Sequence, residues 1–280
     1  MTRDPQYEGR PLPRPGEEIV DQGLGFDIGT LMSRRQTLRA VGLGAVSLGL
    51  VACGDGGSTT TTSTRTSGTA ALEEIPEETA GPYPGDGSNG PDALADSGVV
   101  RADIRSSFGG ASGTAAGVLM TLELDLHDLA SDGAPYQGVA VYVWHCDRGG
   151  NYSMYSQRVR NENYLRGVQI ADAGGKVRFV SIFPGCYAGR WPHIHFEVYP
   201  DQASIADASN VIATSQVALP KDVCEAVYAE DGYEQSVDNL AQVSLESDLV
   251  FRDDGGMHQL GTVTGDVAGG YTVTLGVGVR

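Results

Sequence analysis

The sequence predicts a mostly β protein, a β-sandwich with few short helices, and three observations carry that expectation. Short segments rich in Val, Tyr, Thr and Leu run apolar or alternate with a period of two. Clusters of Gly, Pro, Asn and Asp separate them, and helical periodicity is confined to two brief stretches late in the chain.

Taken in order, residues 78–87 (ETAGPYPGDG) are too dense in Gly, Pro and Asp for a helix or a central strand and read as a loop. Residues 118–129 (VLMTLELDLHDL) alternate, with Leu122, Leu124 and Leu126 on one face and Glu123 and Asp125 on the other, which predicts a half-buried strand. After a turn at Ser131-Asp132-Gly133, residues 138–147 (GVAVYVWHCD) have the composition of a fully buried strand. Arg148-Gly149-Gly150-Asn151 is the next turn. Further strands are expected at residues 176–182, 193–199, 213–219 and 271–279, with helices at 221–228 and in part of 237–245. No repeat of fixed period is present.

With 280 residues and 40% hydrophobic content, the chain is long enough to bury a substantial core. Its 36 acidic against 19 basic side chains give a formal charge of -17. Phosphate backbones demand a basic surface, so nucleic acid is excluded as a partner.

The N-terminal region reads as targeting sequence. Residues 1–31, rich in Pro and charge, form an expected non-structural extension, with translation expected to start at Met32. Residues 32–52 place Arg34-Arg35 before a short apolar run, about thirteen residues against the roughly 20 a membrane span requires. Paired arginines after a serine resemble a twin-arginine signal, and Leu50-Val51-Ala52-Cys53 resembles a lipobox, which makes Cys53 the expected lipidation site. Residues 53–71 are a Gly/Ser/Thr tether and residues 72–280 the folded domain. The expected localisation is therefore export, either lipid-anchored on the outer face of the cell membrane through Cys53 or secreted. Past Cys53, three cysteines remain, and outside the cytoplasm an odd count suggests one disulfide and one free thiol, with Cys186 and Cys224 the preferred pair.

The chemistry concentrates in residues 183–199 (FPGCYAGRWPHIHFEVY). Only five histidines occur in the chain, and His193 and His195 fall at alternate positions of an expected strand, so they share a face opposite Ile194. Tyr187 lies six residues before His193, Arg190 lies between them, and Tyr152 follows the earlier Gly-rich turn. Taken singly, these side chains are ordinary core and surface residues. In conjunction, neutral imidazole and anionic phenolate donors suit a hard, highly charged ion such as Fe(III), and a phenolate at neutral pH itself requires such a cation nearby.

The blocks ETAGPY, VWHCDRGGNYSMY, YLRGVQIADAGGKVRFVSIFPGCYAGR and PHIHFEVY resemble, in order and spacing, the intradiol ring-cleavage dioxygenases, the family of catechol and protocatechuate dioxygenases. The resemblance spans residues 78–219. It implies a sandwich catalytic domain with one mononuclear non-haem Fe(III) per chain, held by Tyr152, Tyr187, His193 and His195. It also implies that Arg190 faces the substrate, that Gln216 lines the same site, and that Tyr83 stands at the pocket mouth. The implied reaction places both atoms of O2 into a catechol, with cleavage between the hydroxyl-bearing carbons to a muconate-type product. Two other readings stand beside it. One is a zinc site built on the His pair and another donor. The other is a surface-anchored, non-catalytic sandwich that binds aromatic or carbohydrate ligands.

Overall fold

The computed structural model describes residues 72–280 together with a two-residue antiparallel ladder, β1 (Gln6–Tyr7) with β2 (Arg10–Pro11). That ladder falls within the segment expected to lack structure. The signal, Cys53 and the tether lie outside the described residues.

The first sheet is organised on β3 (Leu119–Asp128), which pairs with three further strands along its length. β7 (Lys176–Ile182) runs antiparallel to it, β11 (Gly270–Val279) parallel, and β4 (Ala134–Pro135) joins its end. β10 (Thr262–Asp266) closes the edge as a hairpin with β11. The second sheet has the order β6 (Arg166–Ile170), β5 (Ala140–Trp144), β8 (His193–Tyr199), β9 (Ala213–Ala218), with every pair antiparallel.

The alternation in β3 is what allows the sheets to pack. Met120, Leu122, Leu124 and Leu126 are buried and share one core with Val141 and Val143 of β5 and Ile194, Phe196 and Val198 of β8. Each such aliphatic side chain removed from water contributes roughly 1.5–3 kcal/mol. The second sheet differs from the first because its outer face is buried too. Ala140, Tyr142, Trp144 and Tyr199 pack there against Tyr83, Cys146 and Tyr152 from the covering loops. This explains why residues 138–147 read as a continuous apolar run rather than an alternation. The functional side chains lie on this covered outer face.

Two helices, α1 (Lys221–Tyr228) and α2 (Glu234–Leu240), pack beside the turn that enters β8. α2 begins three residues before the expected segment and ends well short of it, because the chain beyond it turns at Ser244, whose carbonyl accepts from the amides of Ser247 and Asp248. β6 and β10 were not anticipated; both are five-residue strands at a sheet edge, and every residue of β10 is at least partly exposed. The expected Cys186–Cys224 disulfide is not formed: Cys146, Cys186 and Cys224 are three free, buried thiols. The Cys186 thiol is turned toward the Arg190 carbonyl, 3.5 Å away.

Candidate active site

The strand register assembles the site. Trp144, His195 and Gln216 are direct cross-strand partners on β5, β8 and β9, and His193 lies two positions from His195 on the same face. The loop after β5 and the turn before β8 add the tyrosines. In the first, the Asp147 carboxylate accepts the amides of Gly149 and Asn151, each at 2.9 Å, forming the turn that delivers Tyr152. In the second, Tyr228 and Tyr233 donate to the carbonyls of Pro184 and Phe183, and Asn239 donates to that of Cys186. The two helices thereby hold the segment that presents Tyr187. Gly150 lies where these loops meet; its φ is +81°, and a Cβ there would sit 3.1 Å from the Tyr187 Cβ.

All four predicted donors converge. His193 Nε2 is 3.1 Å from His195 Nε2, 3.2 Å from Tyr187 Oη and 3.5 Å from Tyr152 Oη. Tyr152 and both histidines are buried, whereas Tyr187 is half-buried and is the donor residue nearest the surface. The Arg190 guanidinium is fixed from two directions. Its Nε donates to Asp248 Oδ2 at 2.9 Å, and its Nη2 donates to Gln216 Oε1 at 2.7 Å. Gln216 in turn donates to the Thr79 carbonyl.

Tyr83, expected at the pocket mouth, is instead buried against the cluster, its ring 4.8 Å from that of Tyr152 and 5.1 Å from that of Tyr155. The loop carrying it is tied down by Arg166, a wholly buried cation that donates to the carbonyls of Tyr83, Pro84 and Ser153. Gly81 of the same loop has φ +71° and approaches so closely that a Cβ would lie 3.3 Å from His195 Cε1.

The electrostatics suit a cation. Burial, reinforced by the positive charge of Arg190, lowers the His193 pKa to about 3. Burial, with His193 next in order, holds His195 far below its ordinary value. Both imidazoles are therefore neutral at neutral pH, with lone pairs available. His193 Nδ1 lies against the Trp191 carbonyl; as the donor there it leaves Nε2 as the acceptor directed at the cluster. Burial pushes the Tyr152 and Tyr187 phenols up, against a smaller lowering by Arg190, so both carry protons until a cation displaces them.

These residues fit a ferric ion by the chemistry of the donor set. Two neutral nitrogens and two oxygens that become anionic on metal binding face one point, and the buried His195 Nδ1 has no hydrogen-bond partner among the described residues, as a ring oriented by something other than a protein acceptor would. Among the described residues no group of three or more His, Cys, Asp or Glu comes together.

The outer sheet face of the sandwich thus gathers two phenols, two neutral imidazoles and a fixed guanidinium. Residues 107–204 match the family described as Dioxygenase. The chlorocatechol 1,2-dioxygenase of Pseudomonas sp. (strain P51) is 30% identical over 112 residues, 31% of this chain and 44% of that protein, so the match spans less than half of the relative. The intradiol ring-cleavage dioxygenase from Tetranychus urticae superposes with a TM-score of 0.58 at 22% identity, covering 74% of this chain and 94% of that one. A second dioxygenase structure, Tetur07g02040, gives 0.58 and 22% over 75% and 95%. In its central segment the chain is thus similar to the dioxygenases, and its fold is that of the intradiol ring-cleavage dioxygenase structures.

Sequence reasoning missed Asp248, Trp144 and Arg166 as parts of the site. Arg166 stands within one of the four sequence blocks, and Trp144 is the second residue of another, so position alone could have singled them out. Asp248 is one of 36 acidic residues and carries no local signature.

Proposed function

We propose that the protein is a non-haem Fe(III) dioxygenase that cleaves a catechol between its hydroxyl-bearing carbons, consuming O2 and yielding a muconate-type dicarboxylate. The observation that carries this reading is the convergence of the Tyr152 and Tyr187 hydroxyls and both imidazole Nε2 atoms on one point. Neither a zinc site nor a passive binding module has use for two phenols of raised pKa beside two neutral histidines.

Tyr152, Tyr187, His193 and His195 would hold the ion. A bound ferric centre would supply Lewis acidity and the electronic coupling that lets a catecholate react with O2. The chain's own residues supply the rest. Because the two phenols are protonated in the metal-free pocket, loading releases their protons, and affinity rises with pH. Tyr187 is the half-buried donor nearest the surface, so its oxygen is the one placed to accept a proton from an entering catechol hydroxyl. Arg190, clamped at two nitrogens, presents a fixed positive charge to the anionic substrate without reorganising. The buried rings of Tyr83, Tyr152 and Trp144 exclude water from the inner wall.

The same proposal includes export by the signal in residues 32–52 and lipidation at Cys53, with the tether between anchor and domain. It is tested by labelling cells with a radioactive fatty acid: incorporation should disappear in Cys53→Ser, and incorporation that persists would contradict it. The catalytic proposal is tested by O2 uptake with catechol, which should be stoichiometric with ring cleavage; iron-loaded protein that consumes no O2 with any of a panel of substituted catechols would contradict it.

A further inference from the structure

Arg190 owes its orientation to a carboxylate on a distant part of the chain. Asp248 is wholly buried, and each of its oxygens is doubly engaged. Oδ2 accepts from Arg190 Nε at 2.9 Å and from the Trp191 amide at 2.6 Å, while Oδ1 accepts from the amides of Val250 and Phe251 at 2.8 and 3.2 Å. The second pair of bonds locks the carboxylate to its own turn, so it cannot follow Arg190 if the latter moves. With Gln216 holding Nη2, the guanidinium plane is fixed at two of its three nitrogens.

The Trp191 amide extends the same control inward. Trp191 is held at its N–H by Asp248 and at its indole by the Leu219 carbonyl, and its own carbonyl faces His193 Nδ1. A single carboxylate therefore anchors both the Arg190 cation and the residue whose carbonyl sets the tautomer of a donor histidine.

We propose that Asp248 is a positioning residue for the reaction, orienting Arg190 toward the phenol and imidazole cluster and, through Trp191, holding His193 in register. The inference rests on the ring-cleavage reading of the site for its kinetic consequence, but its geometric content does not.

A purely structural carboxylate that caps the turn at Val250 and Phe251 would affect folding alone. The full chain and its Asp248→Asn and Asp248→Glu variants separate the two roles. The first measurement is water exchange of the Arg190 Nε–H in metal-free protein labelled with 15N-arginine, the signal being assigned by its loss in Arg190→Lys. Slow exchange in the wild type and at least tenfold faster exchange in Asp248→Asn are expected. The second is turnover by the iron-loaded protein. A misplacement of about 1 Å in a positioned group costs on the order of 100-fold, so kcat should fall by roughly 10- to 100-fold while KM moves much less. Asp248→Asn should lower kcat less when added to Arg190→Ala than it does in the wild type, because part of the carboxylate's action runs through the arginine and the rest through Trp191. Should Asp248→Asn not fold, Asp248→Glu keeps the charge but displaces the carboxylate by one methylene, and should show the same fall in kcat with iron content retained. Unchanged Nε–H exchange, or a folded variant with kcat within twofold of wild type, would overturn the proposal. Wild-type protein that binds iron yet cleaves no catechol would instead overturn the ring-cleavage reading, and the exchange measurement would still decide the placement of Asp248.

Discussion

The indole of Trp144 lies flat against the imidazole of His195, with ring centroids 4.8 Å apart and planes 6° from parallel. The two residues are direct partners on adjacent strands, so the sheet register itself sets the stack. Among the described residues His195 Nδ1 has no hydrogen-bond partner, so packing by Trp144 and the close approach of Gly81 help to orient this ring. Trp144→Leu should therefore loosen His195 as well as open a cavity. Truncating a buried Trp costs about 3–5 kcal/mol, and the smaller change to Leu should cost about 2–3 kcal/mol in denaturant unfolding. Iron affinity should fall more in this variant than in an equally destabilising change within the sandwich core, such as Leu124→Ala, measured by competition with a chelator.

Arg166 joins three carbonyls from two loops inside the protein, and no solvent reaches them. Arg166→Met preserves much of the length but leaves the carbonyls of Tyr83 and Ser153 without this donor, while that of Pro84 keeps the Tyr142 hydroxyl. Each buried unsatisfied group costs about 1–3 kcal/mol, so a loss of at least about 2 kcal/mol is expected. Limited proteolysis should then cut near residues 82–90 first.

His145 is buried between the Cys146 carbonyl and the Ser181 hydroxyl, and burial lowers its pKa to about 4. In the unfolded chain it titrates near the usual value of about 6.5. Between these values the unfolded state binds more protons than the native one, so stability is full above about pH 6.5 and is lost as pH falls toward 4. The full contribution of this residue is about 3 kcal/mol. Urea midpoints measured from pH 7 to pH 4 should decline, and His145→Gln should flatten part of that decline; an unaltered slope would contradict the assignment.

Much of this was legible before the fold was seen. β7, β8 and α1 fall at residues 176–182, 193–199 and 221–228, where β-branched and aromatic runs or a 3.6-residue apolar period leave little ambiguity. The four converging side chains, ordinary when taken singly, were legible in conjunction, through the order and spacing of the blocks that carry Tyr152, Tyr187, His193 and His195. What escaped is what depends on long-range packing. Arg166 reads as a surface charge until the loop carrying Tyr83 closes over it from 83 residues away. Asp248 acquires meaning only when its turn meets Arg190, 58 residues earlier. The Cys186–Cys224 pairing failed for the complementary reason: counting thiols carries no information on where their sulfur atoms point, and Cys186 is turned toward its own turn.

Iron bound by two tyrosinates has a property no other donor set in this pocket would give. Ferric loading should turn the full-length protein reddish through tyrosinate-to-iron charge transfer in the visible. Tyr152→Phe and Tyr187→Phe should each weaken or displace that absorption, and the double variant should abolish it. The visible spectrum of the iron-loaded wild type beside these three variants is the most direct test of the site. A band lost stepwise with the two hydroxyls is the predicted result, and a colourless iron-loaded wild type, or a band that survives the double substitution, would contradict the four-donor centre.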